Sequence, residues 1–239
     1  MEAKKTKGIL YLIPTKLGPT SYERVFPEYN RKIILGLENF IIEDIRSARR
    51  FLKSINYPGN FDNVNFQEIS KHIKEEETYS YLNPMQDSIN IGLMSEAGVP
   101  CVADPGNLIV AQAHNLGYQV VPLIGPSSIL LALIASGFNG QNFSFLGYLP
   151  LKPDERAKKI KEIEIESRRT GKTIIFIETP YRNDQLFKSI TENCNADTML
   201  CIAADISLET EFIKSKNIAN WKKSPPNLQK RPAVFLISA

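Results

Sequence analysis

Two carboxylates and a guanidinium, Glu43, Asp44 and Arg46, follow directly on the apolar run Phe40-Ile41-Ile42. Such a short apolar run reads as a buried strand, and open α/β sheets gather their ligands at the carboxyl ends of the strands. Carboxylates standing there are the chain's candidates for a general base, the group that takes a proton from a weak nucleophile. Asp44 can equally cap the helix expected over Ile45 to Ile55, whose first turn welcomes negative charge. Glu43 and Arg46 suit a substrate-side role or a structural ion pair, and the residue types leave both open. His72 and His114 are the only histidines, which excludes a histidine-rich metal site. His72, in a Lys/Glu-rich stretch, reads as a solvated helix residue and not as an acid or base.

A second stretch, Ser88 to Pro126, carries two unusual loops. The apolar run from Ile89 to Met94 breaks into Ser95-Glu96-Ala97-Gly98-Val99-Pro100-Cys101-Val102-Ala103-Asp104-Pro105-Gly106 and resumes as the periodic segment Asn107 to Leu116, stopped by Gly117. Tyr118 to Leu123 then leads into Ile124-Gly125-Pro126-Ser127-Ser128. The pattern is strand, long loop, helix, strand, loop, helix, so both loops leave the carboxyl ends of strands. Gly98, Gly106 and Gly125 allow a ligand to approach the backbone, and Pro100, Pro105 and Pro126 stiffen the loops. Ordinary strand-to-helix turns run about 2 to 6 residues, so a break of this length points to function.

These residues resemble a known family. Ser95-Glu96-Ala97-Gly98-Val99-Pro100 followed by Asp104-Pro105-Gly106 is similar to the S-D-A-G-T-P…D-P-G signature of the RsmI-type proteins, S-adenosylmethionine-dependent methyltransferases of the tetrapyrrole methylase superfamily. Val121 to Ser128 resembles that family's V-P-L-P-G-P loop, Leu146 to Pro150 its G-F-L-P segment, Glu43-Asp44-Ile45-Arg46 its A-E-D-T-R, and Glu178 with Arg182 its F-Y-E-S-x-x-R. The resemblance implies an α/β chain of two sub-domains, 1–123 and 124–239, with the S-adenosylmethionine site in the cleft between them, the class III methyltransferase arrangement. It implies a donor held by Leu17, Ser95, Ala97, Gly98, Val99, Val102, Gly125, Ser127, Ser128 and Glu178. It also implies catalytic roles for Glu43, Asp44 and Arg46, a cytidine ribose of small-subunit ribosomal RNA as acceptor, and a homodimer. A tetrapyrrole or other small-molecule acceptor is the alternative, and a donor-binding protein without transferase activity is a second one. The departures are Lys16 and Pro19-Thr20 in the first loop, Ile45 for threonine, and Ala204 and Ser207 where the family has arginine and lysine. The family's small C-terminal extension has no counterpart in the sequence.

The rest of the chain bounds these readings. With 239 residues and 43% apolar content it can bury a real core as one large or two ordinary domains. A net charge of +3 permits a nucleic-acid substrate without arguing for one. Cys101, Cys194 and Cys201 form no spaced pair and read as reduced thiols of a cytoplasmic protein. Gly8 to Pro14 reads as a buried first strand, too short for a signal peptide, and no run approaches the roughly 18 apolar residues of a membrane span. Thr20 and Ser21 are candidate caps for a helix over Tyr22 to Glu38 that Pro27 interrupts. Phe61 to Phe66 is expected as a short strand and Gln67 to Leu82 as a polar helix. Beyond Ser128 the expected elements are helices over Ile129–Ala135 and Asp154–Arg169 and strands beginning at Phe143, Thr173, Leu200 and Pro232. Trp221, in a lysine-bearing segment, reads either as packing or as a stacking platform for a base.

Overall fold

The computed structural model describes residues 7–58, 60–70 and 73–239, so His72 lies outside the described residues. The chain divides after Ser127 into two compact units. Both are α/β, as expected. In the first, β1 (Ile9–Ile13), α1 (Glu28–Leu35), β2 (Asn39–Ile42), α2 (Ile45–Ser54), β3 (Asn65–Glu68), α3 (Thr78–Leu82), β4 (Ile91–Met94), α4 (Gly106–Asn115) and β5 (Gln119–Pro122) build a five-stranded sheet of order β3-β2-β4-β1-β5. Every pairing in it is parallel.

The period of two along each strand sorts side chains into two layers. Tyr11, Ile13, Phe40, Ile42 and Met94 join Phe51 and Leu52 of α2 in one core, while Leu10, Ile41, Ile91 and Leu93 join Leu82, Ile109 and Ala113 in the other. Strands covered on both faces read as near-continuous apolar runs, which is why β1 and β4 stand out in the sequence. Gly92 belongs to the first layer. A Cβ there would sit 2.5 Å from Ile13 Cδ1 and 3.0 Å from Phe40 Cδ1, so the bare position lets both neighbours fill the face of the sheet.

Two expected helices are corrected. The first helix begins at Glu28, and neither Thr20 nor Ser21 caps it, because Pro27 occupies the cap position with extended backbone (φ −67°, ψ 146°). Residues before it fold into a turn in which Tyr22 and Phe26 stack 4.8 Å apart. Gln67 to Leu82 is not one helix: Gln67 and Glu68 finish β3, a single 3₁₀ turn covers Glu75–Glu77, and α3 is five residues long. Phe66 stacks on Phe40 at 5.7 Å in the sheet edge, where the strand begins four residues later than expected, while Phe61–Asn63 is a 3₁₀ turn.

The second unit comprises α5 (Ser128–Ser136), β6 (Phe143–Tyr148), α6 (Pro153–Thr170), β7 (Thr173–Ile177), α7 (Asn183–Asn193), β8 (Met199–Ala204), β9 (Phe212–Asn217), α8 (Ile218–Lys223) and β10 (Ala233–Ser238). Its sheet has the order β6-β7-β10-β8-β9; β6 and β7 are parallel and the other pairs antiparallel. Ile160 and Ile163 of α6, Leu186 and Ile190 of α7, and Trp221 of α8 cover one face. Trp221 is 1% exposed and its indole N–H donates to Leu200 O at 2.8 Å, so packing is its role and base stacking is ruled out. Among the described residues no helix is long and apolar enough to cross a membrane.

Buried Glu164 ties α6 to the start of β8. Its carboxylate accepts from the Asn195 backbone N–H at 2.7 Å, from Asn195 Nδ2 at 2.8 Å and from the Thr198 hydroxyl. Removing this acceptor strands the buried Thr198 hydroxyl and takes a partner from the two part-buried donors of Asn195, so Glu164→Ala is expected to cost about 2 kcal/mol in denaturant unfolding, and a loss within error of zero would refute the network's importance.

Candidate active site

Five strand ends point the same way in the parallel sheet of the first unit, and the loops leaving β1 and β4 are joined there by main-chain bonds. Thr15 N–H donates to Gly98 O at 2.9 Å and Gly98 N–H returns the bond to Thr15 O at 3.2 Å, an isolated antiparallel bridge between loops far apart in sequence. Buried hydroxyls reinforce it: Thr15 Oγ1 donates to Ser95 O at 3.2 Å and Ser95 Oγ to Gly98 O at 3.0 Å. Gly98 has φ +77°, and a Cβ on it would lie 3.1 Å from Leu17 Cδ2 and 3.3 Å from Pro126 O. The loop after β5 therefore closes on the same point. Gly125 is pinned harder still, since a Cβ there would fall 2.3 Å from the Pro14 ring. Asn30 of α1 holds this third loop from below, Nδ2 donating to Ile124 O at 2.6 Å.

The remainder of the long loop is held by Asp104. Its carboxylate accepts from Cys101 N–H at 2.8 Å and Gly106 N–H at 2.8 Å, which stabilises left-handed backbone at Cys101 (φ 69°) and Ala103 (φ 66°). Burial raises the Asp104 carboxyl above its ordinary range despite the opposing bonds from Gly106, Cys101 and Val102. Burial also pushes the Cys101 thiol up to about 12, with the charges of Asp104 and then Glu43 adding to the effect. Glu43, at the end of β2, is thus close enough to the long loop for its charge to be felt there. Asp44 caps α2: Oδ1 accepts from Ser47 N–H at 2.7 Å, and that bond holds its carboxyl below the usual range. A group whose pKa is depressed by folding contributes stability at pH above its unfolded value and loses it as pH falls through the folded one.

Between the β1 loop, α2 and the long loop lies a cavity of about 440 Å³, walled by Thr15 to Pro19, by Ser47, Arg50, Phe51 and Ser54, and by Glu96 and Ala97. Lys16 and Arg50 make no hydrogen bond or ion pair among the described residues. The main-chain groups of Glu96 and Ala97 also carry no internal hydrogen bond among the described residues. Of the residues read from sequence, Leu17 and Ala97 line this cavity, Ser95 and Gly98 build the bridge beside it, and Gly125 closes against Pro14. Val99 is half-buried, Val102 is 44% exposed, and Ser127 is half-buried at the end of the third loop. Arg46 is exposed on the first turn of α2. Ser128 opens α5 in the second unit. Glu178 is buried there and paired to Arg182 Nη2 at 2.7 Å while accepting from Thr179 N–H, so its carboxylate is engaged within its own unit. Sequence reading missed Arg50, Ser47 and Ser54. The signal was present, because Arg46, Arg50 and Lys53 recur at the three- and four-residue spacing that lines up one side of a helix.

To an adenosyl donor this arrangement offers main-chain groups at Glu96 and Ala97 that carry no hydrogen bond among the described residues, and the apolar side chain of Leu17 on the same cavity wall. Gly98→Ala tests the bridge. The left-handed φ costs a non-glycine residue about 1 to 2 kcal/mol, and the added methyl presses on Leu17 and Pro126 O. Thermal melting with and without S-adenosylmethionine is expected to show a lower melting point and a smaller ligand-induced rise; an unchanged rise would separate the bridge from donor binding.

No family model matches the sequence. Among curated proteins it is 30% identical over 234 residues to the ribosomal RNA small subunit methyltransferase I of Pseudomonas aeruginosa, covering 97% of this chain and 79% of the relative. The enzyme of the same name from Vibrio cholerae is 27% identical over 232 residues, covering 96% of this chain and 76% of that one. Among solved structures, the methyltransferase CobJ superposes with a TM-score of 0.62 at 13% identity, covering 97% and 94% of the two chains. Diphthine synthase gives 0.62 at 14%, covering 97% and 90%. The fold of two α/β units is that of these structures. With the loop motifs, the tied strand ends and these relatives in agreement, the chain belongs to the RsmI family, S-adenosylmethionine-dependent methyltransferases of the tetrapyrrole methylase superfamily.

Proposed function

We propose that this methyltransferase acts on a ribose 2′-hydroxyl of small-subunit ribosomal RNA. The observation that carries the reading is the cation-edged cavity beside the donor loops. Lys16 and Arg50 stand in it without acidic partners, and Arg46 and Lys53 continue the same side of α2 in solvent. Unpaired guanidinium and ammonium groups beside a site suit a polyanion such as an RNA backbone. The names of the curated relatives, ribosomal RNA small subunit methyltransferase I, support the same acceptor.

When bound, S-adenosylmethionine supplies a methyl group on a sulfonium that departs as a neutral thioether. The chain's own contribution is then position and proton transfer. Leu17, Ser95, Ala97, Gly98, Val99, Val102, Gly125 and Ser127 form or support the donor cradle in the first unit, and Ser128 and Glu178 are carried over from the family pattern. Holding nucleophile and methyl carbon in line can supply about 7 to 11 kcal/mol of the barrier in favourable cases. Glu43 takes the hydroxyl proton as the ribose oxygen attacks. Asp44 is a poorer base because its carboxyl is held ionised by the cap it makes. Arg46 steadies the adjoining phosphate.

We also place the enzyme in the cytoplasm as a homodimer. Leu130 and Ile134, one turn apart on α5, are 52% and 76% exposed, and Phe143 and Tyr148 of the edge strand β6 are 41% and 56% exposed, apolar surface that a second copy would bury.

Two measurements test these statements. Glu43→Gln is expected to lower transfer of labelled methyl into small ribosomal subunits by at least a hundredfold with donor affinity unchanged. Asp44→Asn, which can still cap α2, should keep most of the rate. Full activity of Glu43→Gln would remove Glu43 as the base, and label in a porphyrinogen but not in subunits would overturn the RNA reading. Light scattering should give twice the 26.9 kDa chain mass, falling to one chain in Ile134→Glu; a monomeric wild type would remove the dimer.

A further inference from the structure

Charge is distributed very unevenly along this chain. Between Phe212 and Arg231 there are six Lys and Arg and no Asp or Glu, whereas the rest of the sequence holds 23 Lys and Arg against 26 Asp and Glu. The whole positive balance of the protein therefore comes from β9, α8 and the segment after it. Three of these cations are held by neighbours. Lys216 Nζ lies 4.7 Å from the Trp221 ring centroid and donates to Ser224 Oγ at 2.8 Å, tying the strand to the end of α8. Lys214 Nζ lies 5.4 Å from the Phe212 ring, and the Arg231 guanidinium lies 5.7 Å from the same ring. Arg231 is paired with Asp205 at 2.7 Å. Lys214, Lys216, Lys222 and Lys223 have no acidic partner among the described residues.

We propose that this band on β9 and α8 of the second unit is a further RNA-contact surface that grips phosphates without reading bases. The inference rests on the reading of RNA as the acceptor and adds where a further part of that RNA is held. Cations parked over aromatic rings lose less freedom on meeting a phosphate than freely rotating lysines do. Trp221 and its N–H are consumed inside the unit, so the surface offers no stacking platform and no base discrimination. Phosphate contacts of this kind position a substrate and carry no sequence information. A competing account is that lysines on an edge strand prevent sheet-to-sheet association. It covers Lys214 and Lys216 on β9, the edge of its sheet, but not Lys222 and Lys223 at the end of α8.

The test is binding of a fluorescein-labelled RNA stem-loop, followed by anisotropy between about 50 and 200 mM salt. Two variants are compared with the wild type: Lys222→Gln with Lys223→Gln, which alters only exposed helix-end residues, and the fourfold variant adding Lys214→Gln and Lys216→Gln. Each lysine that meets a phosphate contributes about one unit of slope in log affinity against log salt. The double variant should lose one to two of these units and the fourfold variant about three, with at least a tenfold weaker affinity at the lower salt. Loss of affinity should be the same for stem-loops of different sequence, and S-adenosylmethionine binding should be unchanged in both variants. Unchanged affinity and slope in the double variant overturn the proposal, as does self-association of the fourfold variant with RNA binding intact. Failure of the ribosomal RNA reading looks different: the wild type then puts no label into ribosomal subunits whatever the lysine variants do.

Discussion

The site in the first unit depends on a pair of main-chain hydrogen bonds between Thr15 and Gly98. Parallel strands cannot be joined by a tight turn, so the loops leaving β1 and β4 reach each other only if something outside the sheet pairs them. Here that pairing is a miniature antiparallel ladder, braced by two buried hydroxyls. Its cost is steric, because the residue on the β4 side must have a positive φ and must leave room for Leu17 and Pro126. Glycine is the residue that meets both requirements. The remaining features of the loop, from the Asp104 clamp to the pinned Gly125, prolong that constraint into a fixed wall.

A fixed wall suits the chemistry of methyl transfer. The leaving group is already activated, so the barrier is reduced mainly by alignment, and alignment is degraded by loop motion. The chain spends its glycines and prolines on rigidity at this edge of the sheet and leaves its chargeable groups on α2 and at the end of β2. Asp44 shows how the two demands meet: it starts the helix that presents Arg50 to the cavity, and in doing so commits its carboxylate to the backbone.

Much of this was legible in the sequence because the signals were local. Buried parallel strands announce themselves as apolar runs, and Asp44 before Ile45 is a capping signal that the structure places as expected. The long loop was recognisable as more than a turn from its glycines, prolines and length. What was not legible depended on distant partners. Gln67 and Glu68 have the polarity of a surface helix, yet the Phe40 and Phe66 stack makes them an edge strand. Tyr22 to Phe26 carry helical periodicity, but Pro27 can begin a helix and not continue one. Arg50 came into view only when the β1 loop was seen to fold over α2. Glu178, legible through its motif, turned out to be engaged by Arg182 four residues on.

Cys101 gives the loop a further consequence. An enzyme that handles a methyl sulfonium keeps an alkylating agent next to its own side chains, and sulfur is the softest and most easily alkylated atom it owns. The species at risk is the thiolate. With its pKa lifted to about 12 by burial and by two neighbouring carboxylates, Cys101 is ionised in only on the order of 10⁻⁵ of molecules at neutral pH. Burial first, and the Asp104 carboxylate that shapes the loop second, therefore keep this thiol in the protonated form that resists alkylation.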